Sequence, residues 1–326
     1  MESVNKELLK IENLVVEYTS EDNIIHAVNG IDLDILEGET VGLVGETGAG
    51  KTTIAKSILR ILPDPPAKIC GGKIVFQGTD ILQMKEEEIR SIRGRQISMI
   101  FQDPMTALNP TITVGKQIAE AVGLHEKLTK SERKQKAIQI LEKAGISRER
   151  YDDFPHQFSG GMKQRAVIAM ALVCSPLLLL ADEPTTALDV TIQAQVLQMM
   201  SELKKEFHTS VLMITHDLGV VAETCDKVAV IYAGEIIEFG TAEDIFDHAV
   251  HPYTLGLFGS LPDLNSENRR LKPISGMMPD PAHLPAGCKF YDRCPHASSK
   301  CRDSVPDKRK LGQSHYVRCF YSGGNV

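Results

Sequence analysis

The sequence predicts an α/β fold built on a parallel sheet with helices on both faces, and three observations predict it. Gly45-Glu46-Thr47-Gly48-Ala49-Gly50-Lys51-Thr52-Thr53 fits G-x-x-x-x-G-K-[ST] and lies between an apolar strand, Thr40–Val44, and a helix-compatible run, Ile54–Leu59. Beyond it, short apolar runs alternate with stretches of helical periodicity. Leu177–Ala181 is apolar throughout and ends in Asp182-Glu183, the pattern of a strand buried on both faces.

In chain order, Leu8–Tyr18 and Ile24–Leu36 alternate apolar and polar residues as half-buried strands do, and Glu37-Gly38-Glu39 turns the chain into the loop-bearing strand. Leu62-Pro63-Asp64-Pro65-Pro66 stops the first helix. Gly72–Gln77 reads as a strand and Ile97–Phe101 as a fully buried one. From about Val114 to Ala144 the periodicity is helical and the charges are mixed, which predicts an inserted helical subdomain. A helix over Gly160–Val173, a strand over Leu177–Ala181, a helix over Ile192–Phe207 and a strand over Val211–Thr215 follow. Lys227–Tyr232 and Glu235–Phe239 pair around Ala233-Gly234, and Ser260–Leu284, rich in Pro, Asn and charge, is expected to be a loose connection.

The bulk properties narrow the class. The chain has 326 residues, 42% hydrophobic and 24% charged, and no Trp, which suits one large domain plus an appendage. A net charge of −7 argues against a general nucleic-acid binder. The charge is uneven: residues 267–326 carry eleven Lys/Arg against five Asp/Glu, leaving −13 on residues 1–266, so a boundary is expected near Asn265. The polar start lacks the apolar core of a signal peptide, and the most apolar stretch, Ala166–Ala181, is interrupted by Cys174-Ser175-Pro176 and too short to span a bilayer. A soluble, cytoplasmic chain is expected, one that reaches a membrane only through a partner.

The chemistry starts at Gly45–Thr53. Glycines let consecutive N–H groups turn inward at phosphate oxygens, and the helix that follows points its positive end at the same place. Lys51 is expected to neutralise β- and γ-phosphate charge and the Thr52 hydroxyl to ligate Mg²⁺; a bare glycine-rich turn rarely matches so many positions in this context. Asp182 is then suited to hold Mg²⁺ through water and Glu183 to take a proton from the attacking water. By itself the segment reads equally as a core strand followed by an acidic turn. Ser159 is a good helix N-cap and Gly160-Gly161 leave bare N–H groups at a helix start, a second anion site unless the segment is an ordinary capped helix.

Gly45–Thr52, Gln102 after a buried strand, Ser159-Gly160-Gly161-Met162-Lys163-Gln164, the strand to Asp182-Glu183, Ala187-Leu188-Asp189 and His216 occur in the order found in ABC-type ATPases, and residues 8–245 resemble that family. Phe158 stands where the family usually has Leu. The resemblance implies a P-loop NTPase fold with an antiparallel β subdomain, a helical subdomain at about 105–172 and two copies of the ATPase domain packed head to tail. Each ATP then lies between one copy's phosphate loop and the other copy's Ser159–Gly161 segment, with Gln164 in the same motif. It implies that Gln102 senses γ-phosphate and Mg²⁺, that Asp189 lies across the dimer interface, and that His216 bonds the γ-phosphate and orients Glu183. It also implies that Tyr18, otherwise an ordinary strand aromatic, stacks on adenine.

Phe101-Gln102-Asp103-Pro104-Met105-Thr106-Ala107-Leu108-Asn109-Pro110, His251-Pro252-Tyr253-Thr254 and Pro285-Ala286-Gly287-Cys288-Lys289-Phe290 resemble the oligopeptide/dipeptide (and nickel) import group, which extends the likeness to nearly the whole chain. The expected organisation is an ATPase domain over 1–250 and a cysteine-bearing extension over 251–326. The expected partners are a second, related ATPase chain, two membrane-spanning permease subunits and an extracellular or periplasmic substrate-binding protein, without nucleic acid. The place of work is then the cytoplasmic face of the membrane. Import of nickel or another small solute, or a soluble mechanical ATPase of the same family, are the alternatives.

Four of the seven cysteines, Cys288, Cys294, Cys301 and Cys319, are spaced C-x5-C-x6-C-x17-C in the tail. Structural zinc prefers pairs two to four residues apart, which are missing here, and Cys294-Pro295 is similar to the Cys-Pro step of bacterial ferredoxins. The resemblance implies a 4Fe–4S cluster on this tail, with zinc or free or disulfide-bonded thiols as the alternatives; the local basic surplus suits a cluster, whose four thiolates leave net negative charge. Cys70, Cys174 and Cys225 have no partners by spacing and are expected to be buried apolar residues.

Overall fold

The structure is a computed structural model that describes residues 6–20, 23–186, 188–260 and 274–321. Most of the expected loose connection and Ala187 therefore lie outside the described residues. The elements run β1 (Glu7–Thr19), β2 (Ile24–Leu36), β3 (Thr40–Val44), α1 (Lys51–Ile58), β4 (Ala67–Phe76), β5 (Thr79–Asp80), α2 (Glu86–Ile92) and β6 (Ile97–Ile100). Next come α3 (Pro104–Ala107), α4 (Val114–His125), α5 (Lys130–Lys143), α6 (Gly160–Leu172), β7 (Leu178–Asp182), α7 (Val190–Phe207) and β8 (Ser210–Ile214). The chain closes with α8 (Leu218–Thr224), β9 (Lys227–Tyr232), β10 (Glu235–Thr241), α9 (Ala242–Asp247), α10 (Pro252–Gly259), α11 (Ser299–Asp303), β11 (Lys308–Lys310) and β12 (Tyr316–Arg318).

The described residues divide into two compact units: those among 1–8, 35–40 and 83–214 form the first, and those among 9–34, 41–82 and 215–326 the second. In the first, β6, β7 and β8 pair in parallel in the order β8-β7-β6. Every residue of β7 and β8 is buried, as continuous apolar strands between helical layers must be. The helices start where the sequence supplies caps. Thr129 and Glu132 form a reciprocal capping box at α5, and the Asp189 carboxylate accepts from the Ile192 N–H at α7. Gly115 on α4 faces the ring of buried Tyr151, where an added Cβ would lie 2.2 Å from the ring.

In the second unit β2-β1-β4-β5 form an antiparallel sheet, and β11-β12-β10-β9-β3 a mixed one in which β3 and β9 run parallel. The β9–β10 pair turns at Ala233-Gly234, both with positive φ, as the expected hairpin requires. The tail is attached through β12 on β10 and through His315, whose ring faces the fully buried Glu238 carboxylate at 3.1 Å. That carboxylate also accepts from the Val250 and His251 N–H groups. A buried acid so placed is satisfied on several sides. Among the three cysteines expected to be buried, Cys225 is buried and Cys174 half-buried, but Cys70 is exposed. It falls on the solvent face of β4, where its thiol lies 3.3 Å from the Glu17 carboxylate.

Gly115→Ala tests the packing of α4 on Tyr151. Ala would gain about 1 kcal/mol in helix propensity, but the overlap outweighs it, and a net loss of about 1–2 kcal/mol is expected. Thermal unfolding measures it; an unchanged or raised midpoint contradicts this packing.

Candidate functional site

The phosphate loop of the second unit is shaped by what its backbone must pass. A Cβ at Gly45 would lie 2.2 Å from the Ile231 carbonyl of β9, and one at Gly50 2.4 Å from the Ala27 carbonyl of β2. Glycine is therefore needed at both positions for contact alone, and Gly50 has a φ of 104° besides. The Gly234 N–H donates to Ala49 O at 3.1 Å, so the β9–β10 turn braces the loop from one side. Lys51 is buried, and its Nζ donates to Gly45 O at 2.6 Å and Glu46 O at 2.9 Å. Thr52 and Thr53 lie in the first turn of α1, and Tyr18 Oη is 3.2 Å from Thr53 Oγ1, which fixes the Tyr18 ring beside that helix start.

Glu46 is held from three directions. Its N–H donates to Tyr253 Oη at 3.0 Å, its carbonyl accepts from Lys51, and its carboxylate receives both terminal nitrogens of Arg293 at 2.9 Å. Arg293 Nη1 also donates to Tyr232 Oη at 3.2 Å. Burial opposes its charge, but the hydrogen bonds to Glu46 and Tyr232 outweigh that and hold the guanidinium protonated above its ordinary value. Burial raises the Tyr253 hydroxyl well above the usual tyrosine range, so it stays protonated. Neither Tyr253 nor Arg293 is visible as a loop partner in the sequence, because they lie 207 and 247 positions from Glu46.

In the first unit β7 delivers Asp182, which is buried, and Glu183, which follows with a φ of 50°. The Glu183 N–H donates to Ile214 O at 2.8 Å, and its carboxylate accepts from Gln102 Nε2 at 3.0 Å and Thr186 Oγ1 at 2.9 Å. The structure thus brings Gln102 and Glu183 together directly, a contact the motif order does not reveal. A non-glycine residue with positive φ persists only where its surroundings hold it, and such positions cluster at functional sites.

The Ser159 hydroxyl caps α6 by accepting from Met162 N–H at 3.4 Å, and Gly160 faces open space. A Cβ at Gly161 would come 2.7 Å from Ile192 of α7, so this glycine lets the two helices pack closely. Gln164 is buried and its amide donates to the Pro184 carbonyl, which ties α6 to the turn after Glu183. Asp189 is exposed at the start of α7. In the second unit, His216 is exposed after β8, beside Asp217, whose carboxylate caps α8.

The four tail thiols lie in the second unit, Cys301 buried and the others half-buried. Burial first, and the neighbouring thiols in addition, push Cys288 and Cys319 up to about 11. Backbone N–H groups of Phe290, His296 and Tyr321 oppose the rise at Cys288, Cys294 and Cys319 respectively by bonding sulfur. The thiols sense one another's charge, yet among the described residues no group of three or more His, Cys, Asp or Glu side chains has the geometry to hold a metal ion. Four soft donors, three of them with N–H···S bonds, fit an iron–sulfur cluster by chemistry, but these positions do not converge to ligating distance.

Among the described residues no helix is long and apolar enough to cross a membrane. Residues 28–186 match the ABC transporter family, and residues 237–301 match the oligopeptide/dipeptide transporter C-terminal region. The dipeptide transport ATP-binding protein DppD of Bacillus subtilis is 48% identical over 317 residues, covering 97% of this chain and 95% of its own. The oligopeptide transport ATP-binding protein OppD of Escherichia coli is 46% identical over 315 residues, 96% of this chain and 93% of its own. Among solved structures, a dimeric ATP-binding cassette in a post-hydrolysis state with ADP and Pi matches at 27% identity and a TM-score of 0.65, covering 72% of this chain and 99% of that one. CbiO1 of Clostridium perfringens, part of an ABC transporter complex, matches at 29% identity and a TM-score of 0.64, over 74% of this chain and 92% of that one. The chain belongs to the ATP-hydrolysing, ATP-binding subunits of ABC transporters, in the group that carries the oligopeptide/dipeptide transporter C-terminal region.

Proposed function

We propose that this chain hydrolyses ATP to power the import of peptides, oligopeptides or dipeptides, through a membrane transporter. The observation that carries this reading is a likeness running almost end to end to peptide-transport ATP-binding proteins, the C-terminal region included. Its partners are a second, related ATPase chain, two membrane-spanning permease subunits and an extracellular or periplasmic substrate-binding protein, and the subunit works at the cytoplasmic face of the membrane. The likeness to a dimeric cassette supports the second ATPase. The ATPase domain of this chain spans 1–250, with a helical subdomain at about 105–172, and a transporter-specific extension spans 251–326.

The roles of Lys51, Thr52, Asp182 and Glu183 follow from chemistry, and those of Tyr18, Gln102, Ser159, Gly160, Gly161, Gln164, Asp189 and His216 from the resemblance to ABC-type ATPases. The loop N–H groups and Lys51 grip the β- and γ-phosphates, and Tyr18 carries the adenine ring. Thr52, Gln102 and Asp182 are the residues that would hold Mg²⁺, which supplies charge neutralisation on the phosphates. Glu183 takes the proton from the attacking water; the amide of Gln102 and the hydroxyl of Thr186 orient its carboxylate. His216 contacts the γ-phosphate. Ser159, Gly160, Gly161 and Gln164 form the motif that serves the nucleotide on the partner's loop, and Asp189 faces that partner. Binding of two nucleotides closes the pair and hydrolysis releases it, a switch that needs about 5.5 kcal/mol of differential affinity. Charge-assisted hydrogen bonds of about 1.5–3 kcal/mol each are enough to supply it.

For the tail, the donor chemistry and the basic surplus support a 4Fe–4S cluster on Cys288, Cys294, Cys301 and Cys319 with a structural role, although the thiols would have to draw closer to ligate it. No step of the ATPase cycle is assigned to it.

Glu183→Gln is expected to retain ATP binding while turnover falls by about 100-fold or more; a steady-state phosphate-release assay that finds wild-type turnover removes Glu183 from its role. Gly45→Ala is expected to weaken binding of a fluorescent ATP analogue by about 100-fold or more, since the loop cannot keep its course beside Ile231; unchanged affinity would show that the loop tolerates a side chain there. Iron and acid-labile sulfide analysis of anaerobically purified chain is expected to give about four of each. Stoichiometric zinc without sulfide would replace the cluster with a zinc site.

A further inference from the structure

The carboxylate of Glu46 is anomalous where it stands. It belongs to the second residue of the phosphate loop, and ATP brings several negative charges to that loop. A bare carboxylate there repels the ligand, and like charges at close range are costly wherever solvent screens them poorly. The structure places one cation on it. Arg293, from the cysteine-bearing tail, receives the carboxylate in a two-pronged contact, 2.9 Å at each oxygen, with its own side chain 6% exposed. This planar match of guanidinium and carboxylate is the strongest form of such a pair, and lysine cannot reproduce it.

Arg293 is itself fixed on every side. Its Nε donates to Ser275 O at 3.0 Å, and the guanidinium lies 5.6 Å from the Tyr232 ring and 5.8 Å from the Phe290 ring. Those rings form one cluster with Tyr253, whose hydroxyl accepts the Glu46 N–H. A Cβ on Gly48 would meet the Met278 methyl at 3.5 Å, a second point where the tail touches the loop. The tail therefore grips the loop at its side chain and at its backbone, and one arginine provides the charge.

We propose that Arg293 is a positioning residue for ATP binding: it neutralises and anchors the Glu46 carboxylate so that the loop accepts the polyphosphate. The proposal rests on the loop's binding of ATP and assigns to the tail a part in that binding. Two consequences distinguish charge compensation from mere packing. Removing the arginine harms ATP binding because a carboxylate is left facing phosphates, so removing that charge as well restores it. The harm is also electrostatic, and salt reduces it, because the screening length falls from about 10 Å at 0.1 M to about 3 Å at 1 M.

The test is titration of the purified full-length chain with a fluorescent ATP analogue at low and high salt, for wild type, R293A, R293K, R293A/E46Q and, as a non-binding control, K51A. R293A is expected to raise Kd by about tenfold at low salt, and R293A/E46Q to return to within about threefold of wild type. R293K, which keeps the charge without the fork, is expected to fall between wild type and R293A, and the R293A defect to shrink at high salt. Wild-type affinity in R293A overturns the proposal. So does an R293A/E46Q chain as weak as R293A, an R293K chain as weak as R293A, or a defect indifferent to salt, since each of these assigns Arg293 to packing. Wild type that binds no better than K51A would instead refute ATP binding by the loop, a result separate from all of these.

Discussion

The second unit depends on a constraint of space: the backbone of the phosphate loop passes so close to the carbonyls of Ile231 and Ala27 that no side chain fits between them. Those two strands are the walls against which the loop is bent. The braces follow from it. The Ala233-Gly234 turn reaches back to Ala49, Asn29 bonds Gly234 O and Ala233 O, and Lys51 draws the loop's own carbonyls together. A loop shaped in this way is ready for a ligand before the ligand arrives, which lowers the entropy lost on binding.

The first unit uses a different device. Glu183 sits in a backbone conformation that its residue type disfavours, immediately after a fully buried strand. Its N–H is anchored to β8 through Ile214, and its carboxylate is gripped by Gln102, which follows Phe101, a residue just past the end of β6 that is exposed and not buried as the apolar run suggests. A carboxylate whose Oε2 accepts two directed hydrogen bonds, from Gln102 and Thr186, has little rotational freedom to lose. Since Gln102 opens the segment leading into the helical part of this unit, a change in that segment is felt at the carboxylate without any intermediary.

Much of this was legible in the sequence because the signals are local. The apolar run to Asp182, the capping residue Ser159 and the Gly45–Thr53 pattern each concern neighbours within a few positions. The strands over 8–18 and 24–36 and the pair around Ala233-Gly234 stand where alternation puts them. What was not legible is long-range. Arg293 and Tyr253 reach Glu46 from more than 200 positions away, and nothing in their own surroundings signals it. The direct bond between Gln102 and Glu183 depends on the registry of β6 and β7, which no periodicity reveals. Cys70 failed for a smaller reason: on a strand, one position decides between interior and water, and it fell on the water side.

The short hairpin of β11 and β12 lies along β10, and the described sheet ends at β11, in Lys308-Arg309-Lys310. Without the hairpin, β10 would present a row of unpaired peptide groups to any passing extended chain, the situation that leads to edge-to-edge association. Three adjacent positive charges on a three-residue rim are a poor template for a further strand. The extension therefore also acts as a hem, keeping a nucleotide-binding subunit from fraying into aggregates.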